Sequence, residues 1–214
     1  LLNGEYGAWR SIDLHTEPAA FDAKGIWSEE RMCLLMETKI RQAESVKDSV
    51  CGQFQWIYSS HDNPGRRQPD EALRRIDKVG PFNYKGLVTP WEEPLDVYYM
   101  YKSNYRLPED EPMVYLVSHT WNNRFEKSGR RRATIEAYSN CDSVLLYNDA
   151  TNDVYLGRKV NHGRGTHFTW ENRDIRYNVL RAVGYYDGKP VAEDVLVLKG
   201  LERAPHFEAL YRPS

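Results

Sequence analysis

Residues 1–7 read Leu-Leu-Asn-Gly-Glu-Tyr-Gly. Two apolar residues are followed by a short segment in which Glu5 lies between two glycines. This pattern predicts the end of a β-strand, and the helix and strand that follow it predict an α/β layer structure or barrel. Catalytic groups gather at the carboxyl ends of barrel strands, so Glu5 is the sharpest candidate for chemistry. A carboxylate there could attack the anomeric carbon of a sugar if a protonated carboxyl lay roughly 5 Å away. A glutamate at a strand end is more often simply solvated.

The first half of the chain alternates between predicted helices and strands. A helix is predicted over 28–46, because Ser28 is a good N-cap and the two glutamates after it suit the helix dipole. Its apolar residues repeat at helical spacing: Met32, Leu35, Met36, Ile40, Ala43 and Val46. The other predicted elements are a strand over 50–58, a short basic helix over 71–79 and a helix over 94–105.

The composition and the predicted secondary structure change near residue 108. Residues 107–112, Leu-Pro-Glu-Asp-Glu-Pro, have the composition of a linker. Short strands are predicted after it at 113–118, 134–138, 143–147, 154–158, 167–170, 177–186 and 191–198. Asp187-Gly188 is a strong hairpin signal between the last two. Seven short strands in roughly 100 residues indicate an immunoglobulin-like β-sandwich. We therefore predict an α/β domain over 1–107 and a β-sandwich domain over 108–214.

Composition argues against several classes of function. The 29 Lys and Arg balance 31 Asp and Glu, so no global field favours nucleic acid or a membrane surface, and neither partner is expected. The three cysteines, Cys33, Cys51 and Cys141, are widely spaced and are predicted to be buried free thiols. No HExxH, CxxC or phosphate-loop pattern is present, so neither a metal nor a cofactor is expected.

Gly4-Glu5-Tyr6-Gly7 resembles the nucleophile segment of glycoside hydrolase family 2, the β-galactosidase, β-glucuronidase and β-mannosidase group. The resemblance continues in the family's order along the chain. Residues 52–56, Gly-Gln-Phe-Gln-Trp, are similar to the last barrel strand, and 85–88 are similar to the segment that closes the barrel. Residues 138–144, 156–158 and 182–185 resemble the sandwich that follows the barrel in many bacterial members.

The resemblance implies the C-terminal part of a (β/α)8 TIM barrel followed by an immunoglobulin-like β-sandwich. Glu5 would be the nucleophile that forms a covalent glycosyl intermediate, with Tyr6 beside it as a hydrogen-bond donor or a wall. Trp56 would stack on the apolar face of the sugar, although a core aromatic is an equal alternative. His61 and Asp62 follow that strand and are candidates for contacts with sugar hydroxyls, or they are only solvated.

Asn83 and Lys85 form an Asn-x-Lys pair that resembles the element with which β-glucuronidases hold the substrate carboxylate. An ammonium and an amide donor together neutralise and orient a carboxylate. The preceding loop is more basic than expected for the simplest glucuronidases, with Arg66, Arg67, Arg74 and Arg75. The sandwich sequence resembles β-galactosidases of polysaccharide-degrading bacteria. We therefore expect a retaining exo-β-glycosidase of the β-galactosidase type, with a β-glucuronidase as the alternative.

The family's acid/base glutamate follows an asparagine on an earlier barrel strand, and this sequence contains no Asn-Glu dipeptide. We therefore expect an inactive C-terminal portion whose partners are a carbohydrate substrate and the N-terminal part of the same enzyme. A homo-oligomer is left open, and a periplasmic or secreted location is expected. Two alternatives for residues 109–214 are glycan binding through Trp121 and Trp170, or a brace for the barrel.

Overall fold

The computed structural model describes residues 1–7, 15, 28–62, 82–125 and 132–211. It divides into two compact units, Leu1–Tyr101 and Lys102–Ser214. The helix predicted over 71–79 and the four arginines of its loop lie outside the described residues. The predicted domain boundary near residue 108 stays a prediction.

The first elements along the chain alternate between strand and helix. They are β1 (Leu2–Tyr6), α1 (Glu29–Ser45), β2 (Gly52–Gln55), β3 (His61–Asp62), β4 (Phe82–Asn83) and α2 (Asp96–Tyr105). Strands β1 and β2 pair in parallel, with Leu2 opposite Gly52 and Asn3 opposite Gln53. Parallel neighbours need a crossover connection, and α1 lies between these two strands in the chain.

The chain beyond β2 runs beside residues 85–88. The backbone N–H of Ile57 donates to the Lys85 carbonyl, and the N–H of Leu87 donates to the Ile57 carbonyl. Ser59 forms a parallel bridge with Val88. A Cβ atom on Gly86 would lie 2.1 Å from the backbone nitrogen of Ser60, so only glycine permits this close approach. The described residues thus contain a parallel strand-helix-strand unit with a third parallel segment beside it, and the closed barrel stays a prediction.

Helix α1 confirms its prediction closely. The Ser28 hydroxyl caps it by accepting a hydrogen bond from the backbone N–H of Arg31 at 3.3 Å. Met32, Met36 and Ile40 of the predicted stripe are buried, whereas Val46 at the C-cap is exposed. Helix α2 begins two residues later than predicted, at Asp96, because Pro94 instead forms an antiparallel bridge with Val88.

The later strands form a β-sandwich, as predicted. They are β5 (Val114–Val117), β6 (Arg132–Ser139), β7 (Ser143–Tyr147), β8 (Tyr155–Val160), β9 (Phe168–Asp174), β10 (Val179–Tyr186) and β11 (Lys189–Val197). One antiparallel sheet has the order β5-β6-β9 and the other β11-β10-β7-β8. Both contribute to one core, which includes Leu116, Ile135, Phe168, Trp170, Leu146, Leu180 and Leu196. Sheets of three and four strands are the arrangement of many immunoglobulin-like sandwiches.

The hairpin between β10 and β11 also confirms its sequence signal. Asp187 and Gly188 both have positive φ, 49° and 74°. A type I′ turn requires positive φ at both central residues, which is why Asp-Gly is favoured there.

The expectation of three buried thiols is wrong for one cysteine. Cys33 and Cys141 are free and buried, but Cys51 is free and exposed. It precedes β2 at the end of the two-stranded sheet, where its thiol donates to the carbonyl of the exposed Leu1 at 3.2 Å. No helix among the described residues is long and apolar enough to cross a bilayer.

Candidate active site

Glu5 lies in a β-bulge at the carboxyl end of β1. Asn3 pairs with Gln53 and Tyr6 pairs with Gln55, so the two residues Gly4 and Glu5 stand opposite the single residue Phe54. Bulges of this kind re-aim side chains and are frequent beside active sites. The Glu5 side chain is exposed.

The side chains around this bulge divide between the two faces of the sheet. The Tyr6 and Gln55 side chains share one face, because the Tyr101 hydroxyl of α2 lies 2.9 Å from the Tyr6 hydroxyl and 3.1 Å from Gln55 Oε1. Successive residues of a strand point to opposite faces. Trp56, the neighbour of Gln55 in the chain, therefore lies on the other face, and we infer the same face for Glu5, the residue before Tyr6.

The face on which Trp56 lies is apolar and exposed. Leu2, Phe54 and Trp56 share it, and their exposed fractions are 59%, 60% and 39%. The backbone N–H of Trp56 donates to the carbonyl of Tyr6 at 2.8 Å, which fixes the two strand ends side by side. An open, aromatic face beside a carboxylate can hold the apolar side of a sugar ring against a nucleophile.

A small antiparallel pair lies beyond the strand ends, in which His61 of β3 is opposite Asn83 of β4. His61 is exposed, whereas Asn83 is only 5% exposed and its Oδ1 atom has no hydrogen-bond partner in the described part of the chain. Lys85 is half-buried, and its carbonyl accepts a hydrogen bond from the N–H of Ile57, the residue after Trp56, at 3.4 Å. Burial, with the Asp62 charge as a smaller cause, raises the pKa of the intervening Tyr84.

A buried ionisable cluster at the start of α1 was not predicted from the sequence. Burial, and then the charge of Asp96, raise the pKa of Glu29 to about 8, although the backbone N–H of Asp96 donates to Glu29 Oε2 at 2.8 Å. His15 Nδ1 lies 2.5 Å from Glu30 Oε1. Burial lowers the pKa of His15, but the Glu30 hydrogen bond and the surrounding carboxylates outweigh it and raise that pKa overall.

Within the described ranges, His15, Glu30 and Asp96 are the group that could hold a metal ion, with ligand atoms within 4.8 Å of one another. The sequence signal for this cluster was the adjacent pair Glu29 and Glu30. Two glutamates are also common in the first turn of an ordinary helix, so the pair did not indicate a cluster. Their convergence with His15 and Asp96 depends on packing between segments far apart in the chain.

Comparisons with known proteins cover both halves of the chain. Residues 131–192 match the family described as a domain of unknown function, DUF4982. A curated protein of Formosa agariphila, provisionally named a β-glucuronidase, is 32% identical over 139 residues, which are 65% of this chain and 15% of that protein.

Solved structures of β-glucuronidases are also similar to this chain. A Parabacteroides merdae β-glucuronidase with glycerol in its active site has a TM-score of 0.71 at 25% identity, covering 91% of this chain and 24% of its own. A Bacteroides uniformis β-glucuronidase 2, covalently bound to cyclophellitol-6-carboxylate aziridine, has a TM-score of 0.68 at 25% identity, covering 92% and 22%. These matches confirm the resemblance to glycoside hydrolase family 2. The chain spans about a quarter of the length of these two solved β-glucuronidases.

Several of the predicted site residues lie at neighbouring strand ends. Glu5, Tyr6 and Trp56 are joined by the pairing of β1 with β2, and Lys85 is joined to the residue after Trp56. His61 and Asn83 form a separate pair, in which β3 and β4 are antiparallel. Gln55 and Tyr101 were not predicted, because hydrogen bonding between distant segments leaves no local sequence pattern.

The two tryptophans considered for glycan binding by the sandwich differ in burial. Trp170 is fully buried in the core, and its Nε1–H donates to the Gly157 carbonyl at 3.0 Å. Trp121 is half-buried, with the Arg124 guanidinium 5.8 Å from its ring centre. Trp170 is therefore excluded as a stacking surface for a glycan, and binding through Trp121 stays a prediction.

Proposed function

We propose that this chain is the C-terminal portion of a retaining β-glycosidase that hydrolyses β-glucuronides, with Glu5 as its nucleophile. One observation carries the proposal: β1 and β2 pair in parallel, so Glu5 in the bulge of β1 and Trp56 directly after β2 lie at the same end of the sheet. A carboxylate beside an open aromatic surface at the carboxyl ends of parallel strands is the arrangement that glycoside hydrolysis in a barrel requires.

The chemistry needs two carboxyl groups. Glu5 would attack the anomeric carbon and form a glycosyl ester, while a protonated carboxyl elsewhere in the barrel gives its proton to the leaving oxygen. Water activated by that second group would then cleave the ester and return Glu5 as a carboxylate. The covalent complex of the B. uniformis enzyme supports this route by analogy, because covalent attachment to an aziridine requires a nucleophile on the protein.

Lys85 supports a glucuronide rather than a galactoside. The buried Asn83 Oδ1 atom, which has no partner among the described residues, can only accept a hydrogen bond, so it would pair with a donor such as a sugar hydroxyl, which both substrates carry. The Lys85 ammonium would supply the positive charge that a substrate carboxylate needs. The relatives named above as β-glucuronidases favour the same substrate. A β-galactoside remains the second candidate, favoured by the resemblance of the sandwich sequence to bacterial β-galactosidases.

Replacing Lys85 tests the substrate in the enzyme that carries the complete barrel. We expect Lys85→Ala to lower kcat/KM for an aryl β-glucuronide by about 100-fold, since a charge-assisted contact to the carboxylate is lost. Hydrolysis of the matching β-galactoside, which has no carboxylate, should change little. Lys39→Ala, which removes an exposed lysine of α1, is the matched control and should behave as wild type. Unchanged glucuronide hydrolysis by Lys85→Ala would exclude Lys85 as the carboxylate-binding residue, and a wild-type enzyme that hydrolyses the galactoside but not the glucuronide would exclude the glucuronide assignment.

A further inference from the structure

We propose that Gln55, Tyr101 and Tyr6 form a brace that sets the position of Glu5 relative to Trp56, a role that rests on the proposed function. Gln55 is the central positioning residue of this brace. None of the three side chains is proposed to touch the substrate, because all lie on or reach the sheet face opposite the one that carries Glu5. The brace would act through the backbone of the two strand ends.

Gln55 connects the segments on both sides of the site. Its Nε2 atom donates to the carbonyl of Gly7, two residues after Glu5, at 3.3 Å. The same atom donates to the carbonyl of Trp56 at 3.0 Å. One amide group therefore holds the chain that follows the nucleophile and the peptide of the sugar-stacking tryptophan.

Tyr101 links the Gln55 side-chain amide to helix α2. Its hydroxyl donates to Gln55 Oε1 at 3.1 Å and lies 2.9 Å from the hydroxyl of Tyr6. Tyr6 is the residue directly after Glu5, and its carbonyl accepts from the Trp56 N–H at 2.8 Å. The chain directly after Glu5 is thus anchored to α2 and β2.

The sequence around Gly7 is adapted to this contact. Gly7 has a φ of +83°, and a Cβ atom there would lie 2.0 Å from Gln55 Oε1. The chain therefore turns immediately after Tyr6 with its backbone close against the Gln55 amide. Small displacements at a reacting centre are expensive, since a misplacement of about 1 Å can lower a rate on the order of 100-fold.

The test is Gln55→Glu in the enzyme with the complete barrel. Glutamate has nearly the same shape but cannot donate, so both bonds from Nε2 are lost and a charged oxygen faces two carbonyls. Active sites are first counted by titration to completion with a covalent β-glucuronide inactivator, and kcat is then expressed per titrated site. We expect that value to fall by about 10- to 100-fold.

The titration separates positioning from simple stability. A merely structural role would lower the number of titratable sites and leave kcat per site unchanged, which would overturn the proposal. Gln42→Glu is the matched control, because it makes the same change at an exposed glutamine of α1; its kcat per site should match wild type. Tyr101→Phe, which removes only the hydroxyl, should also lower kcat per site, and it decides the matter if Gln55→Glu yields no folded enzyme.

The outcomes also distinguish the brace from the proposed function. If wild type hydrolyses no aryl β-glycoside, or if Glu5→Gln retains full turnover, the proposed function fails and the brace fails with it. If wild type is active, Glu5→Gln is inactive and the two brace variants keep normal kcat per site, the brace alone is refuted.

Discussion

The face that Glu5 occupies depends on the one extra residue that β1 has, compared with β2, between the two flanking pairs. Without the extra residue, each side chain of β1 would lie on the same face as its partner in β2 along the whole pair of strands. The bulge breaks that register between Asn3 and Tyr6. Position 4 in this bulge is not crowded, since a Cβ atom on Gly4 would meet nothing within 4 Å.

The two glycines that flank Glu5 are predicted to respond differently to substitution. Gly7→Ala places a methyl group against Gln55 Oε1 and Met36 Sδ, at 2.0 and 2.7 Å, with a φ of +83°. The backbone conformation alone costs roughly 1–2 kcal/mol for alanine. We expect a clear drop in the Tm of the intact enzyme, measured by thermal unfolding.

Gly4→Ala is the matched control for this substitution. It adds the same methyl group three residues away, in open space and without positive φ. Its Tm should remain close to that of wild type. Equal effects of the two variants would contradict the account of Gly7.

At the scale of elements, the starts of α1 and α2 are held together by ionisable groups. Glu29 is 1% exposed and accepts the first N–H of α2, from Asp96. Since burial and the Asp96 charge raise the pKa of Glu29 to about 8, its carboxyl holds a proton near neutral pH. His15, whose pKa is also raised, faces Glu30 in the same cluster.

This cluster predicts that stability declines as pH rises through the range between pH 4.5 and 8. In that range folded Glu29 keeps a proton that unfolded Glu29, with its ordinary pKa of 4.5, has lost. The free energy of unfolding therefore falls with rising pH, by at most about 1.4 kcal/mol per pH unit from this group. His15 acts in the same direction, because its contribution is lost as pH rises through its raised pKa. We expect Glu29→Gln to flatten the dependence of Tm on pH between 5 and 8.

A control on the same helix isolates the effect of burial. Glu44→Gln removes a carboxylate of α1 that lies near Lys47, at 3.6 Å, outside the cluster. Its pH dependence should follow wild type. If Glu29→Gln were to lose stability faster than wild type as pH rises, Glu29 would be ionised in the folded protein and the raised pKa would be wrong.

The elements themselves were largely predictable from local signals. Ser28, the apolar stripe after it and Asp187-Gly188 carry their structural information within a few residues, so α1 and the last hairpin match their predictions. The start of α2 was misplaced because Pro94, an acceptable first helical residue, is instead held in an extended bridge by Val88. That contact is not visible in the local sequence.

The candidate site was predictable in its residue types but not in its arrangement. Glu5, Trp56, Asn83 and Lys85 were found from motifs along the chain. Which face Glu5 occupies depends on a bulge, and the bulge depends on pairing with a strand about fifty residues away. The Gln55 brace and the Glu29 cluster likewise arise only when distant segments meet.

At the scale of the whole molecule, the sheet of the first unit has an apolar face that is exposed in the part of the chain that the structure describes. Leu2 and Phe54 are each more than half exposed beside Trp56. Exposed apolar patches of this kind mark surfaces that contact other structure or a ligand. In the proposed enzyme this face would line the barrel interior, with further strands of the same protein covering Leu2 and Phe54 and leaving Glu5 and Trp56 at the sugar pocket.

The central claim is that Glu5 forms the covalent bond to the sugar, and trapping that bond tests it most directly. The enzyme with the complete barrel is incubated with a 2-deoxy-2-fluoro-β-glucuronide that carries a good leaving group, and the labelled peptide is mapped by mass spectrometry. We predict one label per active site, attached to Glu5 and absent from Glu5→Gln. A stoichiometric label on a different carboxylate, or rapid turnover of aryl β-glucuronides by Glu5→Gln, would contradict the account.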